Sequence, residues 1–261
     1  MNAALTSLTL NPANLLRQNA ASFPDKPALT YPTGVKDGKV VYQQLTYRQI
    51  EEESDKAAYA LRQKGFGPGD KTVFMVKSGP ELFIHVFALF KVGAIPVVVD
   101  PGMGIKRMLH CYRSVGTETF MGIPIATLVR FFARRMFASI RASVTVVGGK
   151  IWRQKRLLRN VDLSRPYPIH QADSQTPALI SFTTGSTGPA KAVECTQQMA
   201  HAMMDAMKAQ ANLSDKDVQL LTLPFFGVIG MMLGNTCVLP EMDPTKPAHI
   251  VPGYLVQAIN D

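Results

Sequence analysis

The stretch with the clearest chemical potential is residues 183–191, which read Thr-Thr-Gly-Ser-Thr-Gly-Pro-Ala-Lys. Its two glycines allow backbone N–H groups to approach a ligand closely, and its four hydroxyls add short hydrogen-bond donors. The lysine at its end supplies a cation that can reach the outer phosphates of a nucleotide. The combination therefore predicts a loop that binds a triphosphate.

Two other kinds of loop are also rich in glycine and hydroxyl residues. This stretch is not a Walker A loop, because Lys191 lies three residues beyond Gly188 and no long helix is expected directly after it. An ordinary Ser/Thr/Gly surface loop is the usual meaning of a glycine-rich segment. The apolar run 178–182, which reads as a buried strand, leads straight into the loop and favours phosphate binding. The predicted phosphate-binding residues are Thr183, Thr184, Gly185, Ser186, Thr187, Gly188 and Lys191.

The segments before the loop alternate between strand and helix patterns. A β-rich run at 72–76, a helix at 80–91 and a continuous apolar strand at 95–99 form a βαβ unit, and such apolar runs suit strands buried on both faces of a parallel sheet. The alternation continues with helices at 105–115 and 125–140 and strands at 119–122, 143–147 and 178–182. We therefore predict an α/β fold with mixed, mostly parallel sheets flanked by helices.

The overall composition is that of a folded chain with a sizeable core. Of the 261 residues, 46% are hydrophobic and 18% are charged, which fits one large domain or two small ones. The formal net charge of +9 favours contact with phosphates, whether on nucleotides, lipid head groups or nucleic acid.

Much of the positive charge lies within residues 130–159, where there is no acidic residue and where aromatic residues are interspersed. The basic residues are Arg130, Arg134, Arg135, Arg141, Lys150, Arg153, Lys155, Arg156 and Arg159, and the aromatic ones are Phe131, Phe132, Phe137 and Trp152. One interpretation is a patch that makes a peripheral contact with an anionic surface or a membrane interface. The other, which is favoured because basic amphipathic helices are common, is a helix with its phenylalanines inside and a solvated arginine face. No known nucleic-acid module fits, so we expect no nucleic-acid partner.

The remaining reactive side chains are not arranged like a metal site or a catalytic triad. Cys111, Cys195 and Cys237 are odd in number and far apart, which favours a reducing compartment such as the cytoplasm. The five histidines are dispersed, and none is paired with Asp or Cys at ligand or triad spacing. We expect no protein-bound metal.

Two segments bear on membrane insertion or export. The first twelve residues lack a basic region and a long apolar core, so we expect no secretory signal. Residues 218–239 carry no charge and are long enough to cross a bilayer, but Pro224, Asn235 and other polar residues interrupt them. A buried strand–loop–helix explains this run better than a transmembrane helix.

The 183–191 loop resembles the signature loop of the acyl-adenylate-forming superfamily, the AMP-dependent synthetases and ligases, which includes acyl-CoA synthetases and the adenylation domains of peptide synthetases. Other segments agree with the resemblance over nearly the whole chain. They are Leu-Thr-Tyr-Arg-Gln at 45–49, Gly-Pro-Gly-Asp-Lys at 67–71, residues 87–100 and Leu-Pro-Phe-Phe-Gly at 223–227. Residues 241–248 and 123–135 further resemble the branch that makes β-lactones in bacterial olefin synthesis, together with related fatty-acid CoA ligase-like proteins.

The resemblance implies an enzyme that uses ATP and Mg²⁺ to activate a carboxylic acid, fatty or β-hydroxy fatty, as an acyl-adenylate with release of pyrophosphate. It assigns the loop, including Lys191, to the phosphates, and Phe225, Phe226 and Gly227 to the acid pocket. Mg²⁺ would be carried by ATP, with Thr184 as a neighbour. CoA or another acyl acceptor would be a partner, and fatty-acid or lipid metabolism the setting.

The sequence departs from the family pattern at several points. Ala192 stands where the family usually has glycine, Gln197 stands near a common histidine, and Gly227 replaces the histidine of the Pro-x-Phe-His form. The downstream Tyr-Gly-x-Thr-Glu segment, the ribose-binding aspartate and the C-terminal lysine are not found. We therefore expect residues 1–261 to be an incomplete N-terminal AMP-binding domain without the C-terminal lid domain, with weak ATP binding and little turnover in isolation. A non-catalytic remnant or nucleotide-binding module is the alternative.

Overall fold

Two β-sheets and the helices around them make up the fold. In the computed structural model, the described residues are 10–151, 153–183, 190–243 and 249–260. The helices are α1 (Pro12–Ser22), α2 (Tyr47–Gln63), α3 (Pro80–Val92), α4 (Ile105–Ser114), α5 (Pro124–Phe132), α6 (Gln154–Leu157), α7 (Gln197–Ala211), α8 (Gly227–Leu233) and α9 (Pro252–Asn260). The strands are β1 (Pro27–Lys36), β2 (Lys39–Thr46), β3 (Lys71–Met75), β4 (Ile95–Val98), β5 (Thr119–Gly122), β6 (Ala142–Val147), β7 (Lys150–Ile151), β8 (Pro177–Thr183), β9 (Lys191–Thr196), β10 (Val218–Leu220) and β11 (Thr236–Val238).

The larger sheet has seven strands in the order β7-β6-β5-β3-β4-β8-β9. Its five central strands are parallel, and β7 and β9 are added antiparallel at the two edges. The chain runs from β3 to β4 on one side and then crosses back to β5 on the other side of β3. The winding direction therefore reverses at β3, and in open α/β sheets ligands bind outside the carboxyl ends of the strands at such a point.

The reversal places helices on both faces of this sheet. In β3, Val73 and Phe74 point to opposite faces, as neighbours in a strand must, and they belong to two different clusters of buried side chains. The cluster around Phe74 contains the buried faces of α1, α2 and α3, and the cluster around Val73 contains Met108 and Tyr112 of α4 and Ala126 of α5. The sheet is therefore covered by a packed core on each of its two faces.

The smaller sheet has four strands in the order β10-β11-β1-β2, with only β2 antiparallel to its neighbour. A capping box at the end of β2 starts helix α2: Gln49 N–H donates to the Thr46 hydroxyl at 3.3 Å, and Thr46 N–H donates to the Gln49 side chain at 2.9 Å. Behind this cap, the Tyr47 hydroxyl donates to the Asn235 carbonyl at 2.7 Å. The start of α2 is thereby fixed against the smaller sheet.

A buried network of charges joins the first three helices. The Lys91 ammonium of α3 is fully buried and lies 2.9 Å from Glu51 and 2.6 Å from Asp55, both on α2. Arg17 of α1 completes the network, at 2.6 Å from Glu51 and 3.0 Å from Asp55, and donates to the carbonyl of Tyr167. Burial of a charge is tolerated when it is paired in this way.

The predicted α/β fold is confirmed, and the differences lie mainly in element lengths. The predicted helix at 125–140 ends at Phe132, and residues 133–139 continue as turns. The uncharged run 218–239 forms β10, a 3₁₀ turn, α8 and β11, as the strand–loop–helix interpretation predicts. Among the described helices, none combines the length and apolar character needed to cross a bilayer.

The favoured interpretation of the basic stretch is wrong for two of its phenylalanines. Phe131 and Phe132 of α5 are 62% and 79% exposed, whereas Phe137 in the following turns is buried against Phe120 with ring centroids 5.7 Å apart. The physical reason is that α5 is apolar on two sides, and it is Ala126 on the other side that packs into the core. Trp152 lies outside the described residues.

Candidate nucleotide-binding site

The predicted phosphate loop connects β8 and β9, which form an antiparallel hairpin. Thr183, the last residue of β8, is the direct cross-strand partner of Lys191, the first residue of β9, and both side chains are exposed. Of the predicted loop residues, Thr184, Gly185, Ser186, Thr187 and Gly188 lie outside the described residues. The structure therefore fixes the two ends of the loop and brings its first hydroxyl and its lysine to the same rung of the sheet.

The two ends of the predicted loop, Thr183 and Lys191, lie at the carboxyl edge of the seven-stranded sheet. β8 pairs in parallel with β4, through Val97 opposite Ile180, and β4 pairs in parallel with β3. Thr183 therefore emerges at the same edge as the start of α3, which follows β3, and the start of α5, which follows β5. This is the edge at which nucleotide phosphates meet loops and helix N-termini in open α/β sheets.

Lys191 is the predicted cation of the site. In the described part of the chain, its ammonium has no hydrogen-bond or ion-pair partner, while the nearby acidic residue of β9, Glu194, lies 3.9 Å from Lys71. An exposed and uncommitted lysine beside a glycine- and hydroxyl-rich loop suits a polyanionic ligand. The donor set present is thus compatible with the phosphates of a nucleotide.

The predicted acid-pocket residues lie in and just after the 3₁₀ turn Pro224–Phe226, which leads into α8. Phe225 is partly buried against the larger core, and Phe226 is 48% exposed. Gly227 is buried, and a Cβ built on it would lie 2.4 Å from Leu221 Cδ1 and 2.7 Å from Phe83 Cε1. The backbone of the turn therefore lies directly against the Phe83 ring, leaving no space there for the histidine side chain of the family pattern.

The contact between Gly227 and Phe83 locates the turn relative to the loop. Phe83 is in the first turn of α3, which starts at the carboxyl edge of the seven-stranded sheet. The turn with Phe225 and Phe226 therefore lies at the same edge as Thr183 and Lys191, on the α3 face. Neither Phe83 nor Leu221 was predicted for the site, because their contact with Gly227 joins distant parts of the chain and leaves no local sequence signal.

Two titratable groups near the start of α3 have shifted pKa values. Burial lowers the pKa of His85 to about 4, and the neutral ring donates through Nδ1–H to the Glu81 carbonyl at 2.7 Å. Burial also raises the pKa of Tyr31, with a further contribution from the Glu81 carboxylate. Both shifts favour the uncharged forms of the two groups at neutral pH.

Metal ligation and thiol chemistry have little support in the part of the chain that the structure describes. It holds no group of three or more His, Cys, Asp and Glu side chains placed to bind a metal ion. Burial raises the pKa of the Cys195 thiol in β9 and raises that of Cys237 to about 12, which disfavours the thiolate form of both.

A cavity of about 610 Å³ lies elsewhere, between α1, α2 and residues 163–166. Its lining contains four basic and three acidic residues, which are Arg17, Arg48, Lys56, Arg165, Glu51, Glu52 and Asp55. Because each of the four cations is already within ion-pair distance of a carboxylate, the cavity offers no uncommitted cation for a phosphate.

Known proteins match this chain over nearly its whole length. The pattern of the family described as "AMP-binding enzyme" matches residues 16–260. An olefin beta-lactone synthetase of Stenotrophomonas maltophilia is 35% identical over 95% of this chain and 46% of its own length, and one of Xanthomonas campestris pv. campestris is 34% identical over 99% of this chain and 47% of its own. The chain thus spans about half the length of these relatives.

Solved structures share the fold at lower identity. The O-succinylbenzoate coenzyme A synthetase of Bacillus subtilis, in complex with AMP, superposes with a TM-score of 0.71 at 18% identity, over 95% of this chain and 46% of the other. The expected fold and the expected superfamily are both confirmed. With a family match over residues 16–260 and relatives above 30% identity, the chain belongs to the AMP-binding enzyme family.

Proposed function

We propose that the protein containing this chain activates a carboxylic acid with ATP, forming an acyl-adenylate and releasing pyrophosphate. The observation that carries the proposal is the pairing of Thr183 with Lys191 at the two ends of the glycine- and hydroxyl-rich loop, at the carboxyl edge of the sheet. The names of the relatives support it, since they include an olefin beta-lactone synthetase and a salicyl-AMP ligase of Mycobacterium tuberculosis.

In this proposal the chain binds and orients the nucleotide and takes no covalent part in the reaction. Lys191 offsets the charge on the outer phosphates and on the departing pyrophosphate, while Thr183 and the hydroxyls and N–H groups of the loop position them. ATP, accompanied by Mg²⁺ near Thr184, supplies the electrophilic phosphorus and the leaving pyrophosphate. The substrate carboxylate forms a bond to the α-phosphorus as the bond from that phosphorus to pyrophosphate breaks.

The acid is proposed to be fatty or β-hydroxy fatty and to bind beside the turn with Phe225 and Phe226. The partly exposed aromatic rings offer an apolar surface for an acyl chain at the edge where the phosphates bind. The olefin beta-lactone synthetases named above support an acid of this kind. The acyl acceptor is proposed to be CoA or another acceptor, and the compartment to be the cytoplasm.

Residues 1–261 are proposed to form the phosphate-binding part of a longer adenylating domain. The Tyr-Gly-x-Thr-Glu segment, the ribose-binding aspartate and the lid do not occur within them. A nucleotide-binding module without turnover is the second candidate, and Gly227 favours it, because this residue leaves no side chain where the family pattern has histidine.

ATP–pyrophosphate exchange separates the two candidates. The longest natural form of the protein is assayed with a panel of carboxylic acids that runs from short to long chains, with and without a β-hydroxyl. Acid-dependent exchange with a preference for the longer chains is the expected result. Nucleotide binding by calorimetry without exchange for any acid would reject the enzyme in favour of the binding module, and absence of both would reject the site.

A further inference from the structure

Helix α5 presents an apolar face to solvent. Ile125, Leu128, Phe131 and Phe132 are 61%, 50%, 62% and 79% exposed. At about 100° per residue these four side chains fall within an arc of about 120° of the helix surface. Ala126, on the opposite side, is buried in the core that α5 shares with α4. The exposed residues are therefore not the core-facing side of the helix but a second apolar face.

The two phenylalanines of this face contact each other, and one of them also contacts an arginine. Their rings are in edge-to-face contact with centroids 5.6 Å apart, and the Arg134 guanidinium lies 5.8 Å from the Phe131 ring centroid. Arg135 is exposed beside Arg134. The exposed face therefore has two aromatic rings near its C-terminal end, and two arginines follow them in the turns after the helix.

The part of the chain around α5 contains many basic residues and almost no acidic ones. Glu118 is the only acidic residue between positions 101 and 161. Helix α4, packed on the same side of the sheet, exposes Lys106, Arg107 and Arg113, and Arg113 reaches across to Met136 in the turns that follow α5. Cations near an apolar helix face are the combination by which interfacial helices bind anionic lipid surfaces.

We propose that this surface, formed by Ile125, Leu128, Phe131, Phe132, Arg134 and Arg135 and called here the α5 surface, docks on an anionic lipid membrane. The apolar side chains enter the acyl boundary while the arginines contact lipid phosphates. A charged protein partner would not need four adjacent apolar side chains, and an apolar one would not match the arginines. The proposal goes beyond acid activation, and its test does not use enzymatic activity.

Vesicle co-sedimentation tests the α5 surface on the longest natural form of the protein. Vesicles of phosphatidylcholine alone are compared with an equimolar mixture of phosphatidylcholine and phosphatidylglycerol. We expect binding to the anionic vesicles, weaker binding to the neutral ones, and a decrease with added salt. Arg134→Gln with Arg135→Gln should weaken anionic-vesicle binding by about twentyfold, and Phe131→Ser with Phe132→Ser by at least about tenfold.

Matched controls lie on the β1–β2 hairpin, in the other sheet. Val35→Ser with Val41→Ser removes similarly exposed apolar side chains, and Lys36→Gln with Lys39→Gln removes two exposed cations. Both control pairs should leave vesicle binding unchanged, and circular dichroism checks that every variant is folded. Absence of binding to anionic vesicles, or equal losses in test and control pairs, would overturn the proposal. A change of oligomeric state or of protease resistance in the Phe131/Phe132 variant, without loss of vesicle binding, would assign the surface to protein contact and overturn it as well.

Discussion

Thr183 and Lys191 face each other on the last rung of the β8–β9 hairpin, so the loop proposed to bind phosphates begins and ends at one point of the sheet edge. The hairpin register fixes the lysine relative to the loop, because each residue of β9 has one partner in β8. The position of Lys191 is thus set by six residues of paired strand and not by the loop itself.

Replacing Lys191 with methionine tests the role of this pairing in the proposed reaction. The change keeps the unbranched shape and most of the length of the side chain and removes its charge, so acid-dependent ATP–pyrophosphate exchange should fall by about a hundredfold or more. Lys191→Arg should retain part of the activity, since the cation remains but the geometry changes. The matched control is Lys208→Met, which removes an exposed charge from α7 and should leave exchange unchanged. Equal effects of the 191 and 208 changes would remove Lys191 from the site.

Much of this edge could be predicted from the sequence, because the signals are local. The apolar run of β8, the glycines and hydroxyls of the loop and the lysine are adjacent in the chain, and the strand–helix alternation before them predicts parallel strands. The register that puts Thr183 opposite Lys191 is a consequence of strand pairing, which no local pattern specifies. The contact of Gly227 with Phe83 could not be predicted from the sequence either, because these residues are far apart in the chain and only folding brings them together.

Gly227→Ala is expected to destabilise the protein by about 1–3 kcal/mol, because the added Cβ has no space. It would meet Leu221 and Phe83 at 2.4 and 2.7 Å, closer than packed carbon atoms lie, although the glycine backbone is helical and unstrained. Chemical denaturation measures the change in the free energy of unfolding.

Two further variants make the explanation for Gly227 specific. Gly253→Ala, in α9, meets no atom within 4 Å and should be neutral or slightly stabilising, as expected for alanine in a helix. Adding Phe83→Leu to Gly227→Ala should recover part of the loss, and the double-mutant cycle should show coupling between the two sites. Strict additivity would mean that Phe83 is not the source of the conflict.

Lys91→Met is expected to destabilise the chain by about 3–5 kcal/mol, because it removes the fully buried cation of the network and leaves Glu51 and Asp55 with the partly exposed Arg17 alone. Burial lowers the pKa of Lys91, while Glu51 and Asp55 act against that shift, and the ammonium is fully enclosed. The comparison is Lys56→Met, which breaks the half-exposed Lys56–Glu53 pair at 2.7 Å and should cost less than about 1 kcal/mol. Similar losses for both variants, measured by urea denaturation, would contradict the distinction between buried and surface pairs.

The orientation of Phe131 and Phe132 shows why the sequence could not settle the basic stretch. Both faces of α5 carry apolar residues, so periodicity is compatible with either face toward the core. Ala126 packs inward because a small side chain lets the helix approach the sheet closely: a Cβ built on Gly122 of β5 would lie only 3.0 Å from the Ala126 Cβ. Which face of α5 packs toward the core depends on the space between the helix and the sheet, and that space exists only in the folded molecule.

His85 should make the stability of the protein depend on pH below neutrality. Its pKa is about 4 in the folded protein and 6.5 in an unperturbed chain, because burial disfavours the charged ring. Between these values the unfolded chain binds a proton at this site and the folded chain does not. The free energy of unfolding should therefore fall as pH decreases from 6.5 toward 4, by up to about 3 kcal/mol in all, and this contribution should be constant above 6.5.

Urea denaturation of His85→Leu at a series of pH values checks this expectation. The variant should show a shallower loss of stability between pH 6.5 and 4 than the parent protein, because leucine has no proton to bind. His110→Leu provides the control, since His110 is exposed on α4 and its replacement should leave the slope of the parent unchanged. If the parent and His85→Leu lose stability with the same slope, the buried ring is not the group that titrates, and the pH dependence belongs to other groups of the fold.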